Sequence, residues 1–300
     1  MIITQGTLQT LFVAFNAAFR EGFGQAPTDH ERIAMMVSSM TSTEEYAWLG
    51  QWPGLKEWVG ERVIRSLIQH EYSIKNKTFE STIGVQRDRI RDDQYGVYTP
   101  MFSELGRATA AHPTELVYEA LVAGFDTKCF DGQYFFDTDH PIDQQGDGGI
   151  QANRPAALGN GKPWFLIDTS RAIKPIIHQT REAYDLTRMD DPTDENVFMR
   201  REFLYGVDGR CNVGYGLWQL AWGSKQPLTA AAYAEARAAM HVFKADSGRP
   251  LGIMPRLLVV DPSQEKAALE LINAERLANG ATNVWRGTVD VLQSPWLEAA

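Results

Sequence analysis

Three hundred residues, of which 44% are hydrophobic, can bury a sizeable core in one large or two medium domains. The formal net charge is −9 with acids and bases interspersed, which argues against a broad nucleic-acid-binding surface, because gripping phosphate requires clustered lysine and arginine. No stretch approaches the roughly 18 consecutive apolar residues of a membrane span, and no basic run precedes an apolar one at the N-terminus, so a soluble chain made and kept in the cytoplasm is expected. Its two cysteines, Cys129 and Cys211, are too few for a disulfide framework and read as free thiols.

In chain order, Leu8, Leu11, Phe12, Phe15, Ala18, Phe19 and Phe23 share one helical face, so the spacing predicts an amphipathic helix over 7–23, ended by Gly22, Gly24 and Pro27. That face has to be covered, either by its own domain, the commoner case, or by a neighbouring subunit. Residues 33–40 read as a short extended piece. Trp48, Trp52 and Trp58, punctuated by Gly50, Pro53 and Gly54, fit no long regular element. Strand-like runs follow at 62–68, 71–74 and 77–85, the last alternating Phe79, Ser81, Ile83 and Val85 with Thr78, Glu80, Thr82 and Gly84. With Asn76 and Lys77 as a turn, these runs predict a projecting β-hairpin or meander about forty residues long, or more plainly an edge hairpin of a mixed sheet.

A long helix is expected within 92–124. Tyr95, Tyr98, Phe102, Leu105 and Thr109 form its stripe, with Val97, Met101 and Ala108 beside it. Its start is either at Asp92 and Asp93 or at the Thr99–Pro100 pair. Pro113 should break or kink it, leaving a second helix with Leu116, Val117, Ala120 and Leu121 inward and Gly124 as its stop. Tyr134–Phe136 suggests a short buried strand after a turn at Asp131–Gly132, and 142–163, with five glycines, reads as a long loop. Strands are expected at 164–167 and 173–178, the second marked as an edge by Pro175. An acidic loop at 189–196 precedes strands within 197–222, where Gly206, Gly209, Gly214 and Gly216 mark turns or bulges. Thr229 should cap a helix closed by Ser247 and Gly248, 256–260 is a buried strand, Asp261–Pro262 starts a helix through Leu277, and 283–292 is a final strand. The alternation places the chain in the α/β or α+β class.

The one cluster that invites chemistry is Asp137, Asp139 and His140, with Asp131 and Asp143 nearby, which could ligate a divalent ion or act as acid and base. Against that, aspartates in a loop ending in His-Pro commonly cap their own backbone. Cys129 as a nucleophile lacks a third orienting group, and a buried free thiol is the plainer reading. There is no GxSxG, P-loop, GxGxxG, HExxH or CxxC motif, so neither an enzyme nor a cofactor is expected.

Four strings, IRDDQYGVYTPMFSELGRATAAHP, DGQYFFDTDHP, NVGYGLWQLA and GRPLGIMPRLLVVDP, resemble the major head subunit T family of Mu-like phages and prophages, over nearly the whole chain. The resemblance implies an α+β fold of the Hong Kong 97 type found in tailed-phage major capsid proteins. It implies an N-terminal arm at 1–45, an extended E-loop hairpin at 46–90, and a peripheral domain with its spine helix at 91–163. A strand-rich segment at 164–228 and an axial helix–strand–helix–strand unit at 229–300 complete it. It further implies hexamers and pentamers of this chain assembling into an icosahedral shell in the virion, with scaffold, portal and decoration proteins as partners and double-stranded DNA touched only weakly. Neither a membrane nor a covalent cross-link enters. Candidate contact residues between subunits are then Phe12, Phe15 and Phe19 on the arm and Trp52, Trp58, Phe79 and Ile83 on the hairpin. The competing readings are an encapsulin-type compartment and a metal-dependent hydrolase built on Asp137, Asp139 and His140.

Overall fold

The computed structural model describes residues 3–50, 72–92, 95–142, 149–245, 248–277 and 279–298. The first helix, α1 (Gln5–Phe23), opens on a reciprocal capping box in which the Thr4 hydroxyl accepts from the Thr7 amide and the Thr4 amide donates to the Thr7 hydroxyl at 2.8 Å. A one-turn helix, α2 (His30–Ile33), leads into β1 (Ala34–Ser38), followed by β2 (Thr43–Glu45), β3 (Ser73–Lys75) and β4 (Lys77–Gln86). After α3 (Arg87–Arg91) comes the longest element, α4 (Thr99–Ala123), with Pro100 in its first turn where a missing N–H costs nothing. The short ribbon β5 (His140–Pro141) with β6 (Ile150–Gln151) precedes β7 (Trp164–Ile167) and β8 (Ile176–Met189). The remainder runs α5 (Glu195–Arg200), β9 (Glu202–Tyr215), β10 (Ala221–Ser224), α6 (Ala230–His241), β11 (Leu257–Val260), α7 (Glu265–Ile272) and β12 (Asp290–Gln293).

Two four-stranded mixed sheets organise the chain. The first has the order β1-β8-β9-β4, with β1 parallel to β8 and the remaining pairs antiparallel. Helices α1 and α4 pack together on it, and the contact is aromatic: Phe15 stacks on Phe102 at 4.2 Å between centroids, and both rings meet Tyr205 of β9 edge-on at 5.4 Å. The second sheet has the order β10-β7-β11-β12. Its inner strands Trp164–Ile167 and Leu257–Val260 are buried at every position, as unbroken apolar runs covered on both faces must be. Phe125, Phe136 and Phe165 interlock beside it, while Tyr233, Ala236 and Met240 of α6 and Ala268, Leu271 and Ile272 of α7 complete the core.

Several expectations are corrected here. Pro113 does not end the helix: α4 is continuous through it, starting at Thr99. An interior proline costs about 3 kcal/mol, whereas Val117, Tyr118 and Leu121 beyond it are almost fully buried and contribute roughly 1.5–3 kcal/mol each, so burial wins. Asn76 and Lys77 are not a hairpin turn. β3 pairs with β2 and β4 with β9, and Asn76 is buried, donating to the Ser39 hydroxyl at 2.7 Å and the Thr41 carbonyl at 3.0 Å. The edge strands of the first sheet are β1 and β4, whereas β8 is internal and starts just after Pro175, where the lost N–H is harmless.

Gly206, Gly209 and Gly214 lie within continuous β9 rather than at turns. The bulge reading does hold at Gly209: β8 carries two register shifts against β9, and at the second Ala183 and Tyr184 together face Gly209, where a Cβ would come within 2.5 Å of the Tyr184 ring. Helix α6 stops at His241, α7 at Ile272, and the final strand is confined to 290–293, leaving Val284 exposed. The strand read at 62–68 lies outside the described residues, as does Asp143.

Candidate functional site: side-chain clusters and assembly surfaces

The proposed Asp137–Asp139–His140 ligand set is not assembled. Asp137 is buried and caps backbone, accepting from the Thr138 amide at 2.8 Å and the Tyr134 amide at 3.3 Å, and it pairs with Arg154 at 3.2 Å. Asp139 is exposed and is reached by Gln133 Nε2 at 3.4 Å. His140 turns away from both: its ring is fully buried, stacks on Trp218 at 4.0 Å, and makes its hydrogen bonds to Asp131 and Asn153. The stretch before His140 is irregular and not a strand, so the three side chains reach different surroundings. Among the described residues, the group of this kind that does converge is Cys129, Asp131 and His140. Burial and the neighbouring Asp131 carboxylate push the Cys129 thiol well up, which leaves it protonated and a poor nucleophile.

Of the candidate contact residues that are described, Phe15 and Phe19 are buried and Phe12, Phe79 and Ile83 half-buried. Phe15 and Phe19 are 1% and 4% exposed and form the packing of α1 on α4, so the chain's own spine covers that face of the arm helix. Phe12 is half-buried, with the Arg188 guanidinium 5.0 Å from its ring. Phe79 meets the His112 ring edge-on at 4.3 Å, and Ile83 packs on the same core from β4. An amphipathic pattern shows that a face is buried and not by which chain; the contact role expected for Phe15 and Phe19 comes from the resemblance, and here α4 of the same chain covers them. Trp52 and Trp58 lie outside the described residues.

The apolar side chains that do face outward are others. Phe198 and Met199 on α5, at the tip of the β8–β9 hairpin, are 79% and 70% exposed; Val97 is 70% and Met101 50% exposed at the start of the spine, and Val13 on the outer side of α1 is 58% exposed. Phe198 and Met199 are not among the expected contacts, because the sequence pattern predicts strand where the chain forms α5. The available signal was two adjacent large apolar residues in a stretch whose neighbours are charged, ENVFMRRE. Both cysteines are buried and unbridged, and no described helix is long and apolar enough to cross a membrane.

Comparison with known proteins gives this architecture its context. Residues 8–297 match the family described as Mu-like prophage major head subunit gpT. The Mu-like prophage FluMu major head subunit of Haemophilus influenzae Rd is 43% identical over 288 residues, covering 94% of each chain, and the major capsid protein of Escherichia phage Mu is 42% identical over 289 residues, covering 95% of each. Among solved structures, a chain of the bacteriophage JBD30 procapsid superposes with a TM-score of 0.85 at 44% identity, over 98% of this chain and all of that one. A chain of the JBD30 capsid decorated with minor capsid protein trimers gives 0.78 at 34% identity, over 92% of this chain and 93% of that one. The two mixed sheets and the long helix are therefore the Hong Kong 97-type capsid fold, and with a single family model spanning almost every residue the chain belongs to the Mu-like prophage major head subunit gpT family.

Proposed function

We propose that this chain forms pentamers and hexamers that close into an icosahedral shell around double-stranded DNA. The coarser statement follows from the family: the chain is the major capsid protein of a Mu-like head, a virion component that self-associates and not an enzyme. The observation that carries the reading is the match over 8–297 together with the close superposition on a procapsid subunit. An encapsulin-type compartment is not favoured beside relatives above 40% identity that are phage head proteins.

In this reading the sheet β1-β8-β9-β4 with α1 and α4 is the peripheral unit, and β10-β7-β11-β12 with α6 and α7 is the axial unit. The boundary between them then falls inside 164–228, because β7 and β10 join the C-terminal strands whereas β8 and β9 join the spine. The E-loop lies within 46–90, ahead of β4, which rejoins the first sheet, with Trp52 and Trp58 as anchors on a neighbouring copy. Scaffold, portal and decoration proteins are further partners, and the net charge of −9 suits DNA held loosely enough to leave.

Phe198 and Met199 are the described apolar contacts for a second copy, worth roughly 25 cal/mol per Å² of apolar surface covered before association costs. Negative-stain electron microscopy with mass-resolved size exclusion tests both levels, using the chain expressed with its scaffold. Wild type should give shells, tubes or rings of five or six, and Phe198→Glu/Met199→Glu should give smaller species with an unchanged melting temperature. Wild-type monomers alone would sink the shell reading, and normal shells from the double variant would sink the assignment of α5.

A further inference from the structure

One buried cluster remains that a shell role does not explain. Cys129 follows the end of α4, Asp131 lies in the next turn, and His140 begins β5; their sulfur, oxygen and nitrogen ligand atoms all lie within 4.8 Å of one another. Asn153, itself fully buried, fixes the imidazole. Its Nδ2 donates to the Phe135 carbonyl at 2.8 Å and the Trp218 carbonyl at 3.3 Å, so its Oδ1 is the atom that faces the Asp137 amide and His140 Nε2. Nε2 must then carry a hydrogen, because an oxygen lone pair faces it at 3.2 Å. That leaves Nδ1 as the atom aimed at Asp131 Oδ2, only 2.7 Å away, while Asp131 Oδ1 accepts from the Gln133 amide and the Cys129 thiol, each at 3.1 Å. A ring lone pair and a carboxylate oxygen cannot meet at that distance without a proton between them. A metal ion can take that proton's place only if the two groups move apart.

We propose that Cys129 Sγ, the Asp131 carboxylate and His140 Nδ1 bind a divalent ion of the zinc class, with Asn153 as the outer partner that holds the ring. Mixed sulfur, nitrogen and oxygen donors are the set zinc accepts, and a ligating histidine whose other N–H is held by an oxygen is the usual supporting arrangement. The geometry requires little movement. Bonds of about 2.0–2.3 Å in a tetrahedron put ligand atoms about 3.3–3.8 Å apart, against 2.7 Å from His140 Nδ1 to Asp131 Oδ2 and 3.1 Å from Cys129 Sγ to Asp131 Oδ1 here, so these two pairs need to spread by less than about 1 Å, and the sulfur and the ring nitrogen already lie within 4.8 Å of each other. The fourth position falls to water. Such an ion would tie the segment leaving the spine helix to β5 and, through the Trp218 stack, to the segment before β10.

The test uses the purified full chain dialysed against chelator and then titrated with Co²⁺, with parallel Zn²⁺ binding measured by elemental analysis after gel filtration. The expected result is one equivalent per subunit, a sulfur-to-cobalt charge-transfer band, and a Zn²⁺-dependent rise in melting temperature. Cys129→Ser should lose the band and His140→Gln should weaken binding at least tenfold, whereas Cys211→Ser should change neither. No stoichiometric ion on folded wild type would mean that the bridge is a proton and would overturn the proposal. A charge-transfer band that survives in Cys129→Ser and vanishes in Cys211→Ser would also overturn it. If Cys129→Ser fails to fold, the wild-type band together with its persistence in Cys211→Ser still assigns the sulfur.

Discussion

Gly106 sits where α4 crosses α1, and replacing it with alanine should loosen the arm helix. A Cβ at Gly106 would lie 2.0 Å from the Phe19 carbonyl oxygen and 2.9 Å from the Phe23 amide nitrogen; facing it, a Cβ at Gly22 would lie 1.8 Å from the Ser103 carbonyl oxygen. All these obstacles are backbone and cannot rotate aside. Against an ordinary contact of about 3.5 Å, α1 must retreat by on the order of 1 Å, a gap that forfeits a quarter to a half of the dispersion energy of the atoms around it. Those atoms belong to Leu8, Leu11, Phe15, Phe19 and Phe102, the heart of this core. Overpacking costs about 1–3 kcal/mol, and backbone obstacles this close place the site at the upper end, about 2–3 kcal/mol. Alanine also gains about 1 kcal/mol over glycine inside a helix, so the net expectation for Gly106→Ala is a loss of about 1–2 kcal/mol, read as a lower urea midpoint of the unassembled subunit. Gly6→Ala, exposed in the first turn of α1 with only the Thr4 hydroxyl 3.9 Å away, should show the gain without the clash. Gly22→Ala/Gly106→Ala should cost less than the sum of its parts, because the first substitution opens the gap that the second fills. A Gly106→Ala subunit as stable as wild type would refute the reasoning.

Two further outcomes follow from single side chains. His178, buried on β8 near His30 and His112, has its pKa lowered from 6.5 to about 4, first by burial and then by those two histidines, and burial lowers His30 and His112 as well. Glu31 and Asp29 act on His30 and Glu119 on His112 in the opposite sense, without reversing either. The unfolded chain takes up its proton near pH 6.5 and the folded one only near 4, so stability is complete above 6.5 and is lost as pH falls through that window, by about 3 kcal/mol for His178. Urea midpoints between pH 7 and 4 measure it, and a slope that persists undiminished in His178→Leu would refute the assignment. At α6, the Thr229 hydroxyl accepts from the Ala232 amide at 3.2 Å; Thr229→Ala should cost about 1 kcal/mol and Thr229→Ser almost nothing, and equal losses in the two variants would point away from the cap.

Local chemistry alone determined much of this protein. The Phe-rich stripe gave α1, the Thr229 hydroxyl the start of α6, and the apolar runs WFLI and LLVV the two buried inner strands of the second sheet, because spacing, capping and unbroken hydrophobicity act within a few residues. The four family strings carried the fold and the role. What only tertiary structure decided is what distant parts of the chain do to one another. The register of β4 is set by β9, more than a hundred residues later, so no local turn signal at Asn76 could reveal it. Pro113 stays helical because the residues beyond it find a core, not because the segment prefers it. Phe15 and Phe19 could have met either a neighbour or their own spine, since a periodic pattern specifies a buried face and leaves its cover open. The same holds for the acids and histidine around residue 140. Their spacing suggested Asp137 and Asp139 as companions, whereas the turn at Asp131 and the buried amide of Asn153 brought His140 to Cys129, a juxtaposition made by chain reversal and packing rather than by any motif.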